Sequence, residues 1–510
     1  PYYVGGLIPE KEQLIVNTPA KFTELTGAKV LVEREVTSLD ASAKQLAAKN
    51  LRTGMEENYS YDECVIACGA SSIVPPLQGV SLPGVFTMRT PDDAIELRDY
   101  VERTGAKRAV VAGGGFIGLE AAENLAAKGL TVTVIDMADQ IMPGFDKEMA
   151  DYAKRHLEKK GIKVLLNTRL EAVLGDSKAA GVKIPDGELK ADVVVMSLGI
   201  RPNTAFLKDT GLEMMPNGTI LVDSQMKTNL PNVYAAGDCV CVTNRLTGER
   251  AWSPMGSSAN MEGRTLAEAM CGEDSSYPGV LGTAVVKLPE LNGGRTGLSE
   301  GAAKQAGFDV ISVVIATDDK AHYYPGAGMF IIKLIADKNS RKLLGVQVLG
   351  SGAVDKVTDV GVVALTMGAT IDQLQNMDMA YAPPFSTAIH PFVTAINVLK
   401  NKLEGKMDSM TPAEFMQGKA EGYRIVDAAL MPSISGAPYV DLNTVTGEVK
   451  GLGKEETCIP PAEPSALLRL YQYKGSRRRP GSQRYAKTER TGYRKCRGHQ
   501  ESKSMGLPAQ

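Results

Sequence analysis

The sequence predicts an α/β fold in which two interleaved Rossmann-like units are followed by a strand-rich unit. Three observations predict it. A glycine-rich turn, Gly113-Gly114-Gly115-Phe116-Ile117-Gly118, stands between a strand and a helix signal. A Val233-Tyr234-Ala235-Ala236-Gly237-Asp238-Cys239 segment returns to the same strand-turn-helix logic further along. Between and after them, strand and helix signals alternate as if one domain interrupted another.

The first motif has the context a dinucleotide needs. Arg108-Ala109-Val110-Val111-Ala112 reads as a buried strand, Leu119 to Lys128 as a helix ended by Gly129, and Thr131 to Ile135 as a second strand closing on Asp136. Gly113 permits the tight turn, Gly115 lets a pyrophosphate approach the helix N-terminus, and Gly118 lets helix and strand pack closely. Asp136 falls about 20 residues on, where a carboxylate accepts from an adenosine ribose. A carboxylate there repels a 2′-phosphate, which favours NADH over NADPH. The alternative is a purely structural glycine turn.

Around this unit the chain reads as follows. Lys29 to Glu33 and Glu63 to Ala67 are short strands, and Gly69-Ala70-Ser71-Ser72 and Pro75-Pro76 are turns. Lys147 to Lys160 is a helix, Ile162 to Asn167 and Asp192 to Ser197 are strands, and Gly199-Ile200-Arg201-Pro202-Asn203 follows as a loop. A helix spans Ser257 to Met270. Beyond it, strands at Val310 to Ala316, Met329 to Ala336 and Leu344 to Leu349 alternate with helices at Lys356 to Met367 and Thr387 to Leu403.

At 510 residues the chain has room for several domains. Its 43% hydrophobic and 23% charged residues are those of a globular protein, and no apolar run approaches the ~20 residues of a membrane span. The opening Pro1-Tyr2-Tyr3-Val4 carries no signal-peptide pattern. Seven irregularly spaced cysteines point to cytoplasmic residence, and none forms a CxxC redox pair. Cys64 and Cys68 are expected on one core-facing side, and Cys239 and Cys241 as packing, with a redox role the lesser reading. No metal-ligand cluster is expected. Residues 469–510 hold twelve Lys or Arg against two acids, about +10, so the rest of the chain carries about −12. A nucleic-acid arm is one reading of that tail; a disordered, out-of-frame extension with no nucleic-acid partner is the reading preferred.

Taken together, Pro1-Tyr2-Tyr3-Val4-Gly5-Gly6, Ala67-Cys68-Gly69-Ala70, Gly113 to Glu120, Val233 to Asp238, Tyr323-Tyr324-Pro325-Gly326 and Tyr381-Ala382-Pro383-Pro384-Phe385 resemble the FAD-dependent pyridine nucleotide-disulfide oxidoreductases. The subgroup resembled holds coenzyme A disulfide reductases, NADH oxidases and NADH peroxidases. The resemblance implies an FAD-binding domain in two parts, 1–90 and 231–285, around an NAD-binding domain at 91–230, with an α+β dimerisation domain at 286–405. It implies FAD and NADH as cofactors, a homodimer, and a flavoprotein passing a hydride from NAD(P)H via FAD to a disulfide or persulfide such as coenzyme A disulfide.

By that resemblance Asp238 binds the ribityl chain of FAD, with Gly237 allowing close approach, though a helix cap would also use an acid there. Ala67 and Gly69 sit near the adenine half. Gly113, Gly115, Ile117, Gly118, Asp136 and Gly199 belong to the nicotinamide nucleotide. Phe116 matches an aromatic gate over the flavin, or else packs under its helix. Tyr323 and Tyr381 match phenols that reach the partner subunit's active site and serve substrate chemistry, or else pack at the dimer interface. His390 is a second candidate base. Glu120 pairs with a lysine near the flavin or is a solvated first-turn acid.

The subgroup's single redox cysteine lies in a segment resembling Cys-Gly-Leu-Pro-Tyr-Tyr, and this sequence opens on its Pro-Tyr-Tyr. The nucleophile would stand three residues before Pro1, and the first βαβ unit with its FAD-pyrophosphate glycines would also precede it. The sequence as given is therefore expected to lack disulfide-reductase turnover. Residues 410–458, with a helix start at Thr411-Pro412-Ala413-Glu414-Phe415 and a strand at Tyr423 to Asp427, resemble the opening of a rhodanese-like domain, followed by the basic tail at 459–510. Cys458 and Cys496 are given no catalytic role. Two other readings stand beside the reductase: an NADH oxidase or peroxidase acting on oxygen species, and a catalytically dead nicotinamide-binding fragment.

Overall fold

The computed structural model describes residues 1–421. The strand called for at Tyr423 to Asp427, the basic tail, Cys458 and Cys496 lie outside the described residues.

The best-defined layer is a parallel five-stranded sheet, in the order Val85–Phe86, Val193–Met196, Arg108–Ala112, Thr131–Ile135, Lys163–Leu165. Val193 to Met196 are buried on both faces, as parallel strands covered by helices must be. The expected strands fall within a residue or two of their reading. The helix after the glycine turn spans Phe116–Ala127, three residues earlier than Leu119. Gly115 is itself the N-cap, so the first turn lies inside the motif rather than after it. Lys147–Lys159 forms the next helix, with Met149, Ala150, Ala153 and Leu157 buried at helical spacing.

A second layer joins distant parts of the chain. Cys64–Ile66 pairs in parallel with Val233–Ala235, and Ala70–Ser72 pairs antiparallel with Ile200–Pro202. The interleaving expected from sequence is therefore physical. An antiparallel meander at Arg34–Asp40, Gln45–Asn50 and Glu56–Ser60 was not foreseen. It replaces the strand expected at Lys29 to Glu33. Val30, Leu31 and Val32 there are exposed, and pairing starts only at Arg34 opposite Asn50, just past Glu33 with its positive φ of 56°.

The third unit is an antiparallel sheet of five strands, Ala284–Leu288, Leu291–Gly297, Leu343–Gly350, Met329–Asp337 and Val310–Asp318, packed by helices Val354–Thr366 and Pro391–Leu403. The last helix starts at Pro391 instead of Thr387. Proline disfavours helical φ/ψ in the residue before it and suits the first helical position, so His390 becomes the N-cap. The helix start at Thr411 is present, with a capping box between Thr411 and Glu414. No helix among the described residues is long and apolar enough to cross a membrane.

One buried polar cluster fastens the third unit to the parallel-sheet unit. Lys333, 1% exposed, places its ammonium 2.6 Å from Glu148, 2.9 Å from Glu300 and 3.0 Å from Asp146. Gln347 donates to Asp146 at 2.8 Å and accepts from the Asp146 N–H at 2.9 Å. Burial alone would lower the lysine's pKa, but the three carboxylates raise it above its ordinary value. Burial would likewise raise Glu300, yet Lys333, Lys304 and Ser312 hold it down to about 2. Removing the cation strands three acids. Lys333→Met is therefore expected to cost about 3–5 kcal/mol in urea unfolding; a loss under about 1 kcal/mol would mean that water reaches the acids.

Candidate functional site

The glycine turn is built by contacts that leave no room for side chains. A Cβ on Gly118 would lie 2.0 Å from the Gly113 carbonyl oxygen, and one on Gly113, at φ +113°, would lie 2.1 Å from the Ser197 carbonyl oxygen. These two glycines set helix against strand. Gly115 differs. Its φ is −73° and a Cβ there would meet nothing within 4 Å. A residue with ordinary backbone and open space in front needs no glycine for packing, so the space fits a ligand phosphate at the helix N-terminus.

Asp136 closes the turn. Its carboxylate accepts from the Gly114 N–H at 2.6 Å and the Ala138 N–H at 2.8 Å. A carboxylate has about four acceptor sites, so two remain for ribose hydroxyls. The role read for it is thus supplemented by a structural one that sequence did not reveal. Ile117 is exposed. Phe116 packs edge-to-face on Phe145, with ring centroids 6.2 Å apart.

Glu120 is neither solvated nor paired with a lysine. Its carboxylate accepts from the Tyr2 hydroxyl at 2.8 Å, and burial raises its pKa. The lysine pair on this helix belongs to Glu123 and Lys287, one turn further along.

The second set of segments converges without a continuous motif. Asn203 donates from its side chain to the Cys68 carbonyl at 2.9 Å and from its backbone to the Gly69 carbonyl at 3.0 Å. Gly199, at φ +103°, accepts from the Ile73 N–H at 2.9 Å. Ala67, Cys68, Ser71 and Asn203 line a cavity of about 700 Å³ with Cys64, Leu39 and Phe206. Asp238 does not act as a helix cap. Its carboxylate pairs with Arg89, which also donates to the Ala70 carbonyl at 3.1 Å. Trp252 donates to the Asp238 carbonyl at 2.9 Å. Arg89 escaped the sequence reading, as no local pattern ties it to a residue 149 positions away.

Glu262 was missed too. It is 1% exposed and accepts from the Gly237 N–H at 2.7 Å. Burial pushes its pKa up to about 7, with the Asp238 charge adding and the Gly237 bond opposing. A polar, largely apolar-walled cradle with two glycines at positive φ, Gly69 and Gly237, suits an extended cofactor.

These segments match known proteins. The family model for pyridine nucleotide-disulphide oxidoreductases matches residues 6–262, and that for their dimerisation domain matches 283–392. The chain belongs to the pyridine nucleotide-disulphide oxidoreductase family. With membership comes dependence on FAD and NAD(P)H. An NAD(P)H coenzyme A polysulfide/persulfide reductase of Pyrococcus horikoshii is 36% identical, over 78% of this chain and 88% of that protein. An NADH oxidase of Methanocaldococcus jannaschii is 34% identical, over 80% of this chain and 90% of its own length. Among solved structures, a NAD-dependent persulfide reductase from A. fulgidus superposes with a TM-score of 0.83 at 35% identity, covering 90% of this chain and 86% of that one.

The remaining candidates lie in the region matched by the dimerisation-domain model. Tyr323 is 68% exposed and Tyr381 51% exposed, with Phe385 beside the latter in sequence at 71%. Their phenols are presented outward. His390 is buried, and its Nδ1 accepts from the Phe392 N–H at 3.2 Å. Burial, with Lys356 nearby, lowers its pKa to about 4. It is a neutral helix cap, which withdraws it as a base. A larger cavity, of about 1180 Å³, lies between Val310 to Ser312 and Lys402 to Lys419, away from all these residues.

Two variants separate a cofactor site from a structural turn. Gly118→Ala is expected to destabilise the parallel-sheet unit, because backbone must move. Gly115→Ala is expected to leave the melting temperature unchanged and weaken NADH binding at least about 10-fold, read by fluorescence titration; unchanged binding would make the turn structural. A third tests Glu262. Its folded pKa stands above the unfolded value, so its stabilising contribution is complete below about pH 4.5 and is lost as pH rises through about 7. Glu262→Gln keeps an acceptor for Gly237, and urea midpoints are expected to lose their fall across that window.

Proposed function

We propose that this chain binds NADH at the Gly113 to Asp136 turn and FAD across the Ala67–Asn203–Asp238 cradle, and reduces a low-molecular-weight disulfide or persulfide of coenzyme A type. The observation that carries the acceptor class is the 36% identity, over most of both lengths, to a protein named as a coenzyme A polysulfide/persulfide reductase. When bound, the two cofactors supply hydride transfer.

The protein's own residues do the rest. Gly115 and the helix N-terminus would receive the nicotinamide nucleotide's pyrophosphate, and Asp136 its ribose, with its charge disfavouring a 2′-phosphate. Asp238, held in place by Arg89, would accept from the flavin's ribityl hydroxyls. Gly199 and Ile117 would border the nicotinamide side. The Phe116 ring, packed on Phe145, would shield that face from water.

Tyr323 and Tyr381 would serve the partner subunit of a homodimer, donating a proton to a departing thiolate. Their exposure, together with that of Phe385, supports a surface completed by a second copy. The domain limits 1–90, 91–230, 231–285 and 286–405 go with this reading, with the strand at Val85–Phe86 standing at the first seam. Cytoplasmic residence goes with it too, supported by free cysteines among the described residues.

The relative named as an NADH oxidase favours oxygen as a second acceptor reading. The test is NADH consumption by the FAD-loaded chain extended with Cys-Gly-Leu ahead of Pro1, with coenzyme A disulfide or coenzyme A persulfide under argon and then in air without either. Consumption that requires the disulfide or persulfide supports the proposal. Consumption with oxygen alone makes it an oxidase, and NADH binding with no turnover leaves only a nucleotide-binding protein. Where turnover is seen, Tyr323→Phe with Tyr381→Phe is expected to lower kcat roughly 10²-fold with NADH affinity unchanged.

A further inference from the structure

The strands Val310–Asp318 and Met329–Asp337 pair down to Asp318 opposite Met329, and residues 319–328, which join them, carry Tyr323. Two bonds close the neck of that loop. The Asp319 N–H donates to the Gly328 carbonyl at 3.0 Å, and the Gly328 N–H donates to the Asp319 carboxylate at 2.8 Å. A side chain thus takes the bond that a backbone carbonyl would accept if the ladder ran one pair further. Asp319 is 6% exposed, and its one ion pair among the described residues is with Lys320 at 3.9 Å.

The neck is backed by a second turn. A Cβ on Gly352 would collide with the Asp319 carboxylate, and one on Gly328 would collide with the Ser351 hydroxyl. Asn292 holds that turn from its own strand, donating to the Ser351 carbonyl at 3.4 Å and the Gly352 carbonyl at 3.1 Å. Beyond the neck the loop packs little. Residues 322–326 are exposed, and the Tyr323 ring meets the His322 ring of the same loop edge-to-face, with centroids 5.4 Å apart. Inside it, the Tyr324 N–H bonds the Ala321 carbonyl at 2.8 Å and the Ala327 N–H bonds the Tyr324 carbonyl at 3.0 Å, so the loop moves as one piece. Where it points is therefore decided at the neck.

We propose that Asp319 is the positioning residue of the Tyr323 loop: its enclosed carboxylate ties the two ends of residues 319–328 and so sets where the Tyr323 phenol stands. The inference rests on the reading of Tyr323 as the donor to a departing thiolate. A bond from a backbone N–H to a carboxylate is stronger than one to a neutral oxygen, and a short side chain gives up little rotamer freedom in making it. Proton donation needs the phenol within about 3 Å of the atom it serves. A misplacement of about 1 Å in such a group can cost on the order of 10²-fold in rate.

The test uses the FAD-loaded chain extended with Cys-Gly-Leu ahead of Pro1, turning over NADH with coenzyme A disulfide under argon. Asp319→Ala removes the acceptor for the Gly328 N–H, and Asp319→Asn keeps one. Asp319→Ala is expected to speed hydrogen exchange in residues 319–328 alone and to lower kcat about 10-fold with the KM for NADH unchanged. Asp319→Asn is expected to restore most of both. In a Tyr323→Phe background, Asp319→Ala is expected to cost less than about twofold more, since the group it positions is gone. An equal loss in both backgrounds, or unchanged exchange, would overturn the proposal. So would a silent Asp319→Ala beside a Tyr323→Phe loss, which leaves the donor reading standing. No turnover in the parent, or an unchanged kcat in Tyr323→Phe, ends the donor reading and this proposal with it.

Discussion

One close approach of backbone to backbone decides where the molecule's chemistry can sit. The Gly113 carbonyl occupies the place a Cβ on Gly118 would take, so the Phe116–Ala127 helix lies directly against the strand that feeds it. That contact aims the helix N-terminus over the end of the parallel sheet, where open α/β sheets bind ligands. It also fixes the helix's outward face. Glu120 meets Tyr2 and Glu123 meets Lys287, so one helix touches the start of the chain, the nucleotide turn and the region matched by the dimerisation-domain model.

The opposite cradle is held by polar ties rather than packing. Arg89 joins Ala70 to Asp238, Asn203 joins Cys68 to Gly69, and Glu262 holds Gly237. These residues come from five separate stretches of sequence. Each tie is made to a backbone group or to a part-buried charge, where an unmet partner costs more than a met one gains. The arrangement is therefore rigid in position while leaving the cavity beside Ala67 open. The Lys333 cluster plays the same part between the parallel-sheet and antiparallel-sheet units.

What could be read in the sequence follows from which physical rule was at work. Val193 to Met196 and Ala109 to Ala112 were legible because strands buried on both faces must be apolar throughout. The meander from Arg34 to Ser60 was not, since most of its residues face water and no apolar alternation marks it. Lys29 to Glu33 misled for the opposite reason, as three adjacent aliphatics look like a strand whether or not a neighbour exists to pair with them. In the site, glycines were legible because their need is local. Arg89 and Glu262 were hidden, since long-range polar pairing leaves no period in the chain.

The histidine and the tyrosines show how far composition alone can mislead about a proton donor. Few histidines are present, and one beside a proline invites a role as base. Yet an imidazole at the N-cap of a helix has a prior use for its lone pair, and His390 spends Nδ1 on the Phe392 N–H. Buried and depressed to about 4, it is neutral at physiological pH and has no proton to give there. Tyr323 and Tyr381 stand exposed, 68% and 51%, in reach of solvent or a second chain. A hydroxyl that is reachable can meet a substrate, whereas an imidazole that is enclosed and already bonded can only hold a helix in place.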